Sequence, residues 1–404
     1  MSKKKLLFVI NTLSTAGAEM SFLELLRQLD PERYEIDIYV LLAQGELREC
    51  LPDYVHLKNT SYSDESVLAK AGKRHLIEMV FQAAFRRGTI LRLLPYLVRT
   101  FFIMCKNKRL LPDKLCWQLL AQGAPRPDQE YDLAVAYLEG GSAYYVADVV
   151  KAKKKVAFIH IDYARAGYNR VIDRACYLKY DHIFTVSQEG RHTFLQAYPE
   201  LTGHISLFHN PVDRALMRAK SREQITDPAW CDYDGKKLLT VGRLNPQKAY
   251  EVAIETMCLL KEAGVRARWY VLGEGEERPK LEQLIHRYGL EEDFLLPGAT
   301  DNPYPYYAGC DLYVHVTRYE GRSVAIQEAQ ALGCPVLASN CSGNREQIAD
   351  GVDGRLVALE PSQIATQIRE MLGDEVFLKQ LREAAMEKPT NYPEDIEELC
   401  SYAE

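Results

Sequence analysis

Short apolar, β-prone runs alternate with stretches of helical periodicity along nearly the whole chain. That alternation restricts the fold more than any other feature, because it argues for parallel sheets covered by helices on both faces. In the first half, Lys5–Ile10, Tyr34–Leu42, Leu133–Leu138, Lys155–His160, His182–Ser187 and Ile205–Phe208 read as strands. The first is followed by a loop from Asn11 to Gly17 and a helix from about Ala18 to Gln28. In the second half, strands are expected near 238, 269, 294, 313, 336 and 356. A chain of 404 residues favours two domains over one. We expect an α/β protein with a first domain over 1–212 and a second over 213–388. The segment from Asn210 to Gly235 looks like the link between them. A tail over about 389–404 is expected to pack back on the first domain as an acidic helix.

Composition narrows the class. Hydrophobic residues make up 47% and charged residues 26%, as in an ordinary soluble globular protein. None of the ten cysteines forms a C-x-x-C pair, and Cys258, Cys310 and Cys334 sit in apolar runs. They read as reduced core thiols of a cytoplasmic protein, with no zinc site expected. The apolar run Leu6–Ile10 is too short for a secretory signal and ends in Asn11.

The net charge of −6 hides an asymmetry. Between Ser66 and Leu120 stand eleven cations, Lys114 among them, against only Glu78 and Asp113, a local charge of +9. The same stretch carries Leu76, Phe81, Phe85, Leu94, Phe101 and Phe102. Arg92, Pro95 and Arg99 break the apolar run, which argues against a membrane span. Two readings stay open for this insertion. It lies on an anionic membrane surface, or it packs on the core with a solvated basic face. Nucleic acid is not expected as a partner, since the rest of the chain is acidic and carries no recognition motif.

The chemistry concentrates around Glu320 and Glu328, eight positions apart at a strand–loop–helix junction. Glu320 falls in the loop after a strand, where open α/β sheets bind ligands. Glu328 lies in the helix that Ser323 can cap, among apolar neighbours, so a buried carboxylate there needs hydroxyl partners. The loop between them, Gly321, Arg322, Ser323 and Val324, offers backbone amides at a helix N-terminus, which suits an anion. Upstream, Gly242 and Arg243 end the apolar run Leu238–Val241, and Lys248 follows. A forked guanidinium and an ammonium can hold a diphosphate. Gly17 in the first half lets backbone approach a ligand at another helix N-terminus. Together these describe a nucleotide-sugar pocket.

In order and spacing, four pieces resemble the donor half of a family 4 GT-B glycosyltransferase, the group 1 glycosyl transferases. They are Val241-Gly242-Arg243 with Lys248, then Leu272-Gly273-Glu274-Gly275, then the E-x7-E pair with Gly321, and Asp350 to Gly354. The likeness covers residues 236–360. It implies the GT-B architecture, two Rossmann-like domains with sheets facing across a cleft. It also implies a retaining transfer from a nucleoside diphosphate sugar, UDP favoured, to an acceptor hydroxyl, with neither metal nor cofactor, and the basic apolar insertion favours a lipid-linked or cell-surface glycan as that acceptor. By resemblance Glu328 grips the ribose and Glu320 the donor-sugar hydroxyls, while Pro297 and Gly298 border the base. His160, at the end of an apolar strand, would contact donor sugar or acceptor, with Asp162, Tyr163 and Arg165 lining the acceptor side. The chain departs from the family in having Ala16-Gly17 rather than a glycine pair, Asn210-Pro211 near the hinge, and no aromatic beside Pro297. The thiols imply the cytoplasm, and the membrane reading of the insertion would add a peripheral place on the inner face of the membrane.

Three motifs mislead. Asp232-Tyr233-Asp234 matches a metal-binding D-x-D signature but precedes a strand instead of following one. Gly273-Glu274-Gly275 lacks the third glycine of a dinucleotide fingerprint, having Arg278 there. Glu320 has no second carboxyl placed to make it a hydrolase nucleophile. A nucleotide-sugar epimerase on the same fold, or a non-catalytic nucleotide-sugar-binding subunit, are the alternatives. An epimerase needs a separate acid–base pair, and a scaffold subunit would lose the pocket residues that this chain keeps.

Overall fold

The computed structural model describes residues 3–65, 70–106, 112–161, 163, 168 and 170–404. It divides into two units, Met1–Asn210 with Tyr392–Glu404, and Pro211–Asn391.

The first unit is built on seven parallel strands: β1 (Lys4–Ile10), β2 (Tyr34–Val40), β3 (Val55–Leu57), β4 (Tyr131–Ala136), β5 (Ala152–Ile159), β6 (His182–Thr185) and β7 (Ile205–Leu207). Their order is β3-β2-β1-β4-β5-β6-β7. Side chains alternate across the pleat, so the sheet feeds two cores. Leu6, Phe8 and Ile10 pack with Phe22, Leu25 and Leu26 of the helix Gly17–Gln28, whereas Leu7 and Val9 pack with Ala143 and Tyr145 on the other face. The edge strand β3 escapes sequence reading because three residues, one of them His56, show no period. The helix Pro393–Ser401 belongs to this unit. Leu399 and Ala403 enter the Phe8 core, and Asp395 accepts from the His209 amide at 2.6 Å.

Three helices, Lys70–Phe85, Thr89–Lys106 and Pro112–Gly123, stand between β3 and β4. Met79, Val80, Ala83, Leu120 and Ala121 pack on the Leu7 core. Lys114 is a correction to the basic-surface reading. Its ammonium is buried, 2.9 Å from Asp173 and over the Tyr168 ring at 3.3 Å. A buried cation keeps its charge only with such partners, here 59 positions away in sequence.

The second unit has six parallel strands: β8 (Lys236–Val241), β9 (Ala267–Leu272), β10 (Phe294–Gly298), β11 (Leu312–His315), β12 (Val336–Ser339) and β13 (Arg355–Val357). Their order, β10-β9-β8-β11-β12-β13, places between β8 and β11 the point where successive strands change from one side of the sheet to the other. Residues 213–235 are not an open link. Asp213 caps the helix Arg214–Lys220 and Asp227 caps Pro228–Cys231. Trp230 is buried against Tyr270 and Tyr306, at 4.6 and 4.8 Å between ring centroids. Two of the polar residues that suggested a link, Asp213 and Asp227, are helix caps.

Candidate active site

Ligands of open α/β sheets bind where neighbouring strands send their connections in opposite directions. In the second unit that point is the carboxyl ends of β8 and β11. Here the loops after β8, β9 and β10 lie side by side. The Gly242 amide donates to Leu272 O at 3.0 Å, and the Gly273 amide to Gly298 O at 2.9 Å. A Cβ at Gly273 would sit 2.0 Å from Gly242 O, so only glycine allows this approach. Arg243 and Pro297 are exposed along the row. Asn245 caps the turn Pro246–Lys248 and sets Lys248 back toward β11.

Lys248 meets Glu320 there. Its ammonium lies 2.5 Å from Glu320 Oε2, and both side chains are largely buried. His315, the last residue of β11, is buried with Nε2 3.3 Å from the same carboxylate oxygen and Nδ1 3.0 Å from the Tyr313 hydroxyl. In the tautomer that bonds Glu320, Nε2–H donates to the carboxylate and Nδ1 accepts from Tyr313. Burial alone would raise the Glu320 carboxyl, but Lys248 and His315 together hold it down to about 2. Burial, aided by the Lys248 charge, lowers His315 to about 4. At neutral pH this is a cation, an anion and a neutral imidazole.

Ser323 caps the helix Val324–Ala331, as its sequence position suggests, accepting from the Ile326 amide. The Ser323 amide itself donates to Gln347 Oε1 at 2.6 Å, while Gln347 Nε2 donates to Ser323 O at 2.9 Å. That amide is therefore taken, which corrects the expectation that Arg322, Ser323 and Val324 all present theirs to an anion. Gly343 backs the loop, since a Cβ there would fall 2.3 Å from Gly321 O and 2.4 Å from Glu320 O. One turn into the helix, Glu328 is buried and accepts from the hydroxyls of Tyr307 at 3.2 Å and Tyr304 at 3.4 Å. Burial raises its carboxyl to about 7, and the two phenols only partly offset that.

In the first unit, Gly17 opens its helix behind Ala16, whose side chain supplies no cap. His160 follows β5 against Tyr137, at 4.9 Å between rings, and its amide donates to Glu139 Oε2 at 3.1 Å. His160 Nε2 is buried with no hydrogen-bond partner among the described residues, and burial lowers the ring to about 4. Burial raises Glu139, a carboxyl beside the β1/β4 reversal that the sequence did not single out. Tyr163 does not line an acceptor surface. It is buried, with its hydroxyl 3.0 Å from Asp173. Asp162 and Arg165 lie outside the described residues. Asp234 of the D-x-D decoy ion-pairs with Arg266 at the surface.

Residues 223–388 match the family described as glycosyl transferases group 1. They form a group 1 glycosyltransferase domain. A Campylobacter jejuni N-acetylgalactosaminyltransferase acting on a diphospho-undecaprenol-linked saccharide is 28% identical over 229 residues, 55% of this chain and 60% of its own length. The amylovoran biosynthesis glycosyltransferase AmsD of Erwinia amylovora is 25% identical over 228 residues, 54% of this chain and 60% of its own. The alignments thus span little more than half of either partner. Anabaena HepE, solved with UDP-glucose, superposes with a TM-score of 0.69 at 16% identity, covering 98% of both chains, and shows the fold to be GT-B. Within this glycosyltransferase domain, His315, Tyr304, Tyr307 and Gln347 were not singled out from sequence. Each acts on a residue of the motif from a different element, and only the need of Glu328 for partners signalled any of them.

Proposed function

We propose that the protein moves a sugar from a nucleoside diphosphate sugar, UDP favoured, to a hydroxyl of a lipid-linked or cell-surface glycan, retaining the anomeric configuration. The observation that carries this is the charge set where the strand order reverses between β8 and β11: exposed Arg243, largely buried Lys248 on ionised Glu320, and buried Glu328 on the helix beyond. Glu328 accepts from ribose hydroxyls and Glu320 from those of the sugar. Arg243 and Lys248 face the diphosphate and stabilise the charge that grows on it, so no divalent metal or other cofactor is required. The acceptor oxygen bonds to the anomeric carbon as that carbon's bond to the diphosphate oxygen breaks. The acceptor's proton passes to a leaving phosphate oxygen. Glu320 is no covalent nucleophile in this scheme but a hydrogen-bond acceptor, its Oε2 held by Lys248 and His315. His160, whose Nε2 has no hydrogen-bond partner among the described residues, contacts donor sugar or acceptor.

The names of the Campylobacter and Erwinia relatives and the UDP-glucose bound to Anabaena HepE support a UDP-sugar donor and a glycan acceptor. The test is turnover of UDP-, GDP- and ADP-sugars in EDTA, with and without a lipid-linked saccharide, reading the product's anomeric configuration by NMR. Transfer with retention supports the reading. Inversion at the anomeric carbon, or conversion of the donor sugar without any acceptor, overturns it.

A further inference from the structure

The helices Lys70–Phe85 and Thr89–Lys106 carry eight of the fourteen most exposed large apolar side chains among the described residues. Ile77, Phe81 and Phe85 are 66%, 65% and 63% exposed, and Leu91 and Phe102 reach 75% and 66%. The helix Thr89–Lys106 turns Thr89, Thr100 and Met104 inward. Its outer stripe is Leu91, Leu94, Val98, Phe101 and Phe102, at spacings of three and four. A helix that is apolar on its outer face as well as its inner one needs a second apolar phase there. Arg92, Arg99 and Lys106, each seven residues apart and all exposed, run as one row beside that stripe. Residues 70–106 hold eight cations and the single acid Glu78, which pairs with Arg74. No single helix among the described residues is long and apolar enough to cross a membrane, and the two helices meet at a bend of 101°.

We propose that these two helices are a docking surface for an anionic lipid bilayer, lying in its plane with the phenylalanines among the acyl chains and the arginine row at the phosphates. Charge complementarity selects this partner. A protein partner would have to supply an acidic rim around an apolar patch, whereas an anionic lipid surface presents both chemistries everywhere. The inference stands apart from the donor chemistry, because it concerns the first unit and is read without any sugar.

The experiment is flotation of the full chain with vesicles of phosphatidylcholine alone and of phosphatidylcholine mixed with phosphatidylglycerol. Binding should be about tenfold or more tighter to the anionic vesicles and weaken with salt. The Phe81→Ser/Phe102→Ser variant should lose about tenfold or more on either vesicle. Arg92→Ala/Arg99→Ala should lose only the anionic preference. Both substitutions are at exposed positions, and unchanged melting and nucleotide binding would confirm that the variants are folded. Absence of binding, equal binding to both vesicles, or binding indifferent to the phenylalanines would overturn the proposal. So would a dimer in solution that the serine variant dissolves, since a second copy would then cover the face.

Discussion

Glu328 is asked to be buried and charged at once. Burial raises its carboxyl from 4.5 to about 7, despite hydrogen bonds from Tyr307 and Tyr304. The folded chain therefore binds a proton that the unfolded chain has released, so stability falls as pH rises from 4.5 to 7 and stays lowered above that. Glu328→Gln should melt higher than wild type at pH values above this window, by on the order of 1–3 kcal/mol, with the gap closing in acid. Thermal melts across pH read this directly. The same variant should bind donor about 10–100-fold more weakly, because a neutral amide replaces a charged acceptor. His315 is tested by His315→Phe, which keeps a ring but removes the donor to Glu320. We expect kcat to fall about tenfold with donor KM little changed, and the acid limb of the rate profile to move upward as Glu320 loses support. Sequence disclosed the two glutamates because their spacing is local to one strand–loop–helix junction. It could not disclose His315, a lone histidine in an apolar strand, because only the folded loop brings Glu320 back over it.

Among the elements, the alternation of strands and helices was legible except for the short edge strand β3, and so was the cap at Ser323. Apolar period and cap chemistry are local properties of the chain. Lys114 shows where locality ends. A charge run reads as a solvated face, yet this lysine pairs inside the fold with Asp173 from a later helix. Lys114→Ala should destabilise the first unit by about 3–5 kcal/mol, because Asp173 is left buried without its cation. Lys114→Met with Asp173→Leu should recover much of that loss, and denaturant melts of the three forms decide it. The loop carrying Glu320 is held from behind by Gly343. Gly343→Ala should displace that loop, costing about 1–3 kcal/mol in stability and weakening donor binding more than a distant substitution of equal cost.

For the whole molecule, the two parallel sheets followed from sequence, but the place of residues 213–235 did not. Residues 213–235 looked like a link because cap residues and loop residues share a composition. Trp230 is what seats that segment in the second unit. The last helix instead completes the first unit, through Leu399, Ala403 and the Asp395–His209 pair. Deleting 392–404 should therefore loosen the first unit by about 2–4 kcal/mol, the scale of a lost core contact. Hydrogen exchange should report the loss in β1 and β6, with protection of β8 and β11 unchanged.

The central claim is that the second unit binds a nucleoside diphosphate sugar through Glu328 without a metal. Calorimetric titration of UDP-, GDP- and ADP-sugars in EDTA, with wild type and Glu328→Ala on either side of neutral pH, tests it most directly. One nucleotide class should bind, more weakly on the acid side, and the variant should lose about tenfold or more in affinity. Binding that requires a divalent ion and is indifferent to Glu328, or no binding by any donor, would contradict it.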